Sequence, residues 1–148
     1  MKEQTYIDLD LAFDKINAMI FHGSLRKDSV SMYYDTLKEH TFGQCRISYK
    51  KRRGSKTMTD VRYAIVVDDK GRDEMSQLNT FCHELCHLWM YQHGYVNHGH
   101  NFKWQAIAEY CNEFGFNITH HSAYENNVHV ERDVCNVYKF NGKEITNI

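Results

Sequence analysis

Two histidines, His83 and His87, stand four residues apart inside one long stretch of helical periodicity, and that stretch sets what the rest of the chain must pack against. Between residues 73 and 93, Leu78, Phe81, Cys82, Leu85, Leu88 and Trp89 recur at intervals of three and four, with Gln92 the polar exception. That spacing places them along one stripe of an α-helix. Asp73 and Glu74 suit the positive end of the helix dipole, and Gly94 supplies a stop. The two histidines sit mid-helix with an apolar face opposite, as in a helix that is buried.

Elsewhere the patterns are shorter. Leu9, Ala12, Phe13, Ile16 and Ile20 predict an amphipathic helix over 8–21, with Gly23 as its stop. Segments 29–34, 43–50 and 61–67, rich in Tyr, Ile and Val, read as strands. Arg52-Arg53-Gly54-Ser55-Lys56 reads as the turn between the second and third, and 68–73 as a polar connection. A further helix is expected over 102–114, with Phe102, Ile107, Ala108 and Cys111 facing inward. Residues 134–140 read as a strand, Asn141-Gly142 as a two-residue turn, and 143–145 as the returning strand. The expected fold class is α+β: an opening helix, a small mostly antiparallel sheet, the helix with the two histidines, and a following helix. With 148 residues, no repeat and no Gly/Ser-rich linker, the chain reads as one domain over 1–115. Residues 116–148 form an extension packed on that domain.

Hydrophobic residues make up 42% and charged residues 25%, a balance that excludes wholesale disorder. The longest apolar runs span only a few residues, as in Ala64-Ile65-Val66-Val67, far short of the roughly 20 that a membrane helix needs. The opening residues hold no apolar stretch suited to a secretory signal. Five cysteines, at 45, 82, 86, 111 and 135, do not form a disulfide framework. They read as reduced, mostly buried thiols in a cytoplasmic protein.

His83-Glu84-Leu85-Cys86-His87 carries the chemistry. Residues four apart lie about 40° apart around a helix axis and one turn along it, so both imidazoles point at one spot. That arrangement suits two nitrogen ligands about 2.0–2.1 Å from a zinc ion. Glu84 lies at the flank, where its carboxylate can take a proton from water. A catalytic zinc needs a third protein ligand and one open position. His93 lies about 240° further round the helix from His87 and points away. Beyond Gly94 the chain turns back, and spacing leaves both His98 and His100 as candidates.

Thr80-Phe81-Cys82-His83-Glu84-Leu85-Cys86-His87-Leu88-Trp89, followed by Asn97-His98-Gly99-His100-Asn101-Phe102-Lys103-Trp104, resembles the SprT/Spartan-like metalloproteases. Phe13, Asn17 and Phe21-His22-Gly23-Ser24-Leu25 resemble that family's opening helix and its ending, and the resemblance covers about residues 9–115. It implies a zincin-like minidomain that binds Zn²⁺ through His83, His87 and His98, since a His-Gly-x-x-aromatic element supplies the family's third ligand. It implies Glu84 as general base, peptide-bond hydrolysis, and substrates that sit on or are crosslinked to DNA. The chain departs from the family in two ways. It has no proline in the third-ligand element. Only Cys135 lies beyond residue 111, so the paired-cysteine zinc ribbon of many members is absent.

Other features carry weaker signals. Cys82 and Cys86 flank the histidines, but core packing accounts for them better than a structural metal site. Residues 43–62 hold seven of the 18 basic residues and one acid, a local net charge of +6 in a chain of net −1. Lys50, Lys51, Arg52, Arg53 and Lys56 at the hairpin tip, with Tyr49 beside them, suit either phosphate contact or a solvated turn. His120, His121 and His129 read as surface residues. Tyr91 and Tyr95 lie near the site in sequence, and either suits stabilisation of an oxyanion. Besides the peptidase reading, a non-catalytic DNA-binding module with a structural or vestigial zinc site fits the basic segment. A zinc hydrolase acting on a non-peptide bond is a third reading.

Overall fold

The computed structural model describes residues 5–51, 53–54, 57–119 and, for the backbone, 139–142. The expected α+β architecture is present. Helix α1 (Leu9–Met19) leads to strand β1 (Val30–Asp35), then β2 (Gly43–Lys51) and β3 (Met58–Asp68). Helix α2 (Glu74–Gln92), helix α3 (Phe102–Asn112) and a short strand β4 (Lys139–Gly142) follow.

The Asp8 side chain caps α1 by accepting from the Leu11 N–H at 3.1 Å, and Leu9, Ala12, Phe13 and Ile16 are buried. The helix ends before Gly23, whose φ of 78° is open to glycine without steric cost. Asn17 then clamps the outgoing chain at both groups of Leu25: its Oδ1 accepts from the Leu25 N–H and its Nδ2 donates to the Leu25 carbonyl, each at 3.0 Å.

The sheet has the order β1-β3-β2-β4. β1 runs parallel to β3, while β2 runs antiparallel to both β3 and β4, so two of the three pairings are antiparallel. Cys45, Ile47, Ile65 and Val67 point from the sheet into the core, at the alternating positions of the pleat. The Asn141-Gly142 turn expected from sequence is not a turn. Gly142 pairs with Gly43 and Asn141 with Gln44 in the β2–β4 ladder. Ladder pairing with a distant strand overrides the local turn preference. The rest of that expected hairpin, 134–138 and 143–145, lies outside the described residues.

Helix α2 lies across the sheet. The Asp73 side chain caps it, accepting from the Ser76 N–H at 2.7 Å; that bond holds the Asp73 carboxyl below its ordinary pKa. At the other end the Gly94 N–H bonds to the Tyr91 carbonyl and the Tyr95 N–H to the Met90 carbonyl. With Gly94 at φ 89°, these bonds are a Schellman cap. From Phe81 to Leu88 every residue of α2 is buried, so the helix is covered on all sides rather than along one stripe.

Helix α3 buries Ala108 and Cys111 as expected but differs from expectation in its first turn. The Asn101 side chain caps it through the Trp104 N–H at 3.0 Å, and Trp104, Ala108 and Cys111 face inward. Phe102, expected inside, is 87% exposed. It lies about 200° round the helix from Trp104, so burying the indole turns the phenyl ring to solvent. No helix of the described residues is long and apolar enough to cross a membrane.

Candidate metal centre

Helix α2 places His83 and His87 one turn apart, both fully buried, with their Nε2 atoms 3.3 Å apart. The His100 Nε2 lies 3.2 Å from that of His83. All three ligand nitrogens lie within 4.8 Å of one another. Nitrogens bound to one tetrahedral zinc at about 2.0–2.1 Å stand about 3.3 Å from each other. The spacing of these imidazoles therefore fits a single ion of that size, and three nitrogen donors fit its chemistry.

His98 does not join this group. Its Nε2 lies 2.9 Å from Nδ1 of His87, on the side of that ring away from the cluster, and its own Nδ1 lies 2.6 Å from the Tyr95 carbonyl. One placement of protons satisfies both contacts. His98 Nδ1–H donates to the Tyr95 carbonyl and His98 Nε2 accepts from His87 Nδ1–H, which leaves the lone pair of His87 Nε2 facing the cluster. The geometry thus departs from the expectation that His98 supplies the third nitrogen. Gly99, at φ 56°, makes the turn that carries His98 to one side of the His87 ring and His100 to the other.

Electrostatics favour the neutral form of His87 and His98. Burial pushes the His87 imidazole well below its ordinary pKa, and the rings of His98, His83 and His100 push it further. Burial lowers His98 to about 4, against the opposing pull of its bond to Tyr95. A neutral imidazole with a free lone pair is the form that binds a metal.

Glu84 is fully buried beside His83. Its carboxylate lies against β2 at Gly43, where a Cβ would come within 2.7 Å of both Glu84 Oε2 and Thr80 Cγ2. Glycine at this position lets the strand backbone approach the helix at the level of the carboxylate. Sequence reasoning assigned no role to Gly43 or to Trp104. The Trp104 ring centroid lies 4.8 Å from that of His83, 4.9 Å from His87 and 4.3 Å from His100, so the indole walls the histidine cluster. The available signal was its place three residues after the capping Asn101, which turns it inward from the first turn of α3.

The remaining expected features are distributed as follows. Tyr91 is buried with its ring edge-on to His98, while Tyr95 is exposed beside Trp89 and Lys103. Cys45, Cys82, Cys86 and Cys111 are buried thiols outside any disulfide. Cys86 and Cys111 approach to 3.7 Å between sulfurs, joining α2 to α3. Burial raises Cys82 and Cys86, whereas hydrogen bonds from these two pull Cys111 down to about 5. Of the basic tip, Lys50 pairs with Asp60 at 3.4 Å on the surface, and Lys51 and Arg53 are exposed. Arg52, Lys56, His120, His121, His129 and Cys135 lie outside the described residues.

The SprT-like family profile matches residues 9–126, from the opening helix through α3. No curated protein matches the chain at a significant level. The match makes this a metalloprotease-like domain, and its three clustered imidazoles are able to hold a metal ion.

Proposed function

Because the chain belongs to the SprT-like family, we propose that it is a zinc-dependent endopeptidase in which His83 and His87 hold the ion and Glu84 is the general base. The observation that carries this reading is the set of Nε2 separations, 3.3 Å and 3.2 Å, next to a buried carboxylate on the same helix. For the third ligand, the family's His-Gly-x-x-aromatic element favours His98, while the nitrogen spacing favours His100. We take His100 as the ligand and His98 as the residue that orients His87.

Zinc bound there would polarise a peptide carbonyl and bring a water's pKa toward about 7. The protein's part is positional. Glu84 takes a proton from the attacking water and delivers it to the departing amine. His98, anchored on the Tyr95 carbonyl, keeps the His87 ring in one tautomer. The buried walls of Trp104 and Tyr91 hold the imidazoles away from bulk water.

By resemblance to the family, the substrates are proteins associated with or crosslinked to DNA. The charge distribution supports contact with a polyanion. Lys50, Lys51 and Arg53 stand at the hairpin tip, and Arg46 and Arg62 line a 250 Å³ depression with Ser31 and Ser48 on the sheet. Among the described residues, Arg46 bonds there to the neutral Tyr33 hydroxyl and Gln44 amide rather than to a carboxylate.

Cleavage of a protein crosslinked to single-stranded DNA tests the proposal. The zinc-loaded protein should cleave it, and Glu84→Gln should retain zinc and lose at least about 100-fold in rate. A Glu84→Gln protein that cleaves at the parent rate would overturn the mechanism. Cleavage unaffected by zinc removal would overturn the zinc-dependent mechanism, and DNA binding without any cleavage would favour a DNA-binding module.

A further inference from the structure

Trp104 is fully buried, and its indole Nε1 has no hydrogen-bond acceptor among the described residues. An indole N–H is a donor only, and in protein interiors it almost always finds a partner. Leaving it unmet costs roughly 1–3 kcal/mol. The rings around it are the imidazoles of His83, His87 and His100, all within 5 Å between centroids. The indole thus packs against the same three rings that would hold the ion.

Resting on the peptidase reading above, we propose that Trp104 is a catalytic residue whose indole N–H donates to the oxygen of the scissile carbonyl as that oxygen gains negative charge. The orphaned donor then has its acceptor only when substrate is bound and reacting. This places the stabilisation in the transition state rather than in substrate binding. Tyr91 and Tyr95 are less suited to this role. Tyr91 packs its ring against His98, and Tyr95 lies at the surface against Trp89 and Lys103.

The donor sits on a rigid element. The Asn101 cap fixes the first turn of α3 through the Trp104 N–H. The ring is stacked on His87 at an interplanar angle of 17°. The indole is therefore positioned before substrate arrives, as electrostatic stabilisation requires.

The test replaces Trp104 with benzothienylalanine, which keeps the shape of the indole and removes its N–H. Trp104→Phe serves as a second variant, and circular dichroism and zinc content confirm that each protein is folded and loaded. The probe is a phosphinic peptide, whose tetrahedral anionic centre stands in for the reacting carbonyl. Its affinity is compared with that of the matching substrate peptide, measured in a Glu84→Gln background. The proposal predicts that the isosteric variant binds the phosphinic peptide about 100-fold more weakly and loses kcat by a similar factor. It also predicts unchanged substrate-peptide affinity and a downfield shift of the Trp104 indole N–H resonance when the phosphinic peptide binds to the parent. Equal affinities in the parent and the isosteric variant, or an equal loss for both ligands, would make Trp104 a packing residue and overturn the assignment. Zinc-dependent cleavage by the parent is read separately. If it fails, the peptidase reading and this proposal fall together; if it holds while the variant matches the parent, only the Trp104 assignment falls.

Discussion

Four histidines gather beside the middle of α2, yet their nitrogens have different tasks. The Nε2 atoms of His83, His87 and His100 face each other, whereas His98 meets His87 from behind through Nδ1. Removing a ligand and removing its support then have different effects. His100→Ala should abolish stoichiometric zinc binding. His98→Ala should leave one zinc per chain bound about 10- to 100-fold more weakly, the usual cost of losing an orienting partner. Metal analysis with competitive chelation measures both, and full loss of zinc in the His98 variant alone would reverse the two roles. The shared direction of His83 and His87 on α2 was legible in the sequence, because a helix converts a spacing of four into a common side. The place of His100 beside them was not. A turn centred on Gly99 sends residues two apart to opposite sides of a ring, and no periodicity encodes that choice.

Elements position these residues through two close approaches. One is the Cys86–Cys111 and Trp104 contact between α2 and α3; the other is the passage of β2 over Glu84 at Gly43. At the second, a methyl group would overlap the carboxylate and the Thr80 side chain at 2.7 Å. Gly43→Ala should therefore destabilise the protein by about 1–3 kcal/mol through overpacking, and should slow cleavage while zinc stays bound. Denaturant unfolding beside a cleavage assay checks this, and unchanged stability would contradict the close approach. At this scale the helices and the first three strands were readable from apolar spacing to within a few residues. The first turn of α3 was not, because Phe102 and Trp104 are both large aromatics and only the cap at Asn101 decides which one turns inward. The end of strand β4, Asn141-Gly142, was misread as a turn, since Asn-Gly is a strong local signal and its partner Gly43 lies nearly a hundred residues away.

For the molecule as a whole, the buried imidazoles link stability to pH. In the unfolded chain a histidine titrates near 6.5, whereas His98 in the folded protein titrates at about 4 and His87 well below its ordinary value. Between those limits the unfolded chain binds more protons, so the metal-free protein should lose stability as pH falls from about 6.5 toward 4. Urea midpoints measured across that range should drop, and less steeply in His98→Ala; a flat profile would mean the rings are not held neutral. Charge is also divided at this scale. The basic segment 43–62 gathers on the sheet and its hairpin, and the slope of DNA binding against salt should flatten when Lys50, Lys51 and Arg53 are replaced by alanine.

The central claim is that imidazole nitrogens alone supply the protein ligands to one ion. X-ray absorption at the zinc edge of the loaded protein reads that shell directly. The expected shell has nitrogen or oxygen neighbours at about 2.0–2.1 Å, with the outer-shell signature of three imidazoles and no sulfur. A sulfur neighbour at about 2.3 Å would assign the ion to the buried thiols of Cys82, Cys86 or Cys111 and contradict it.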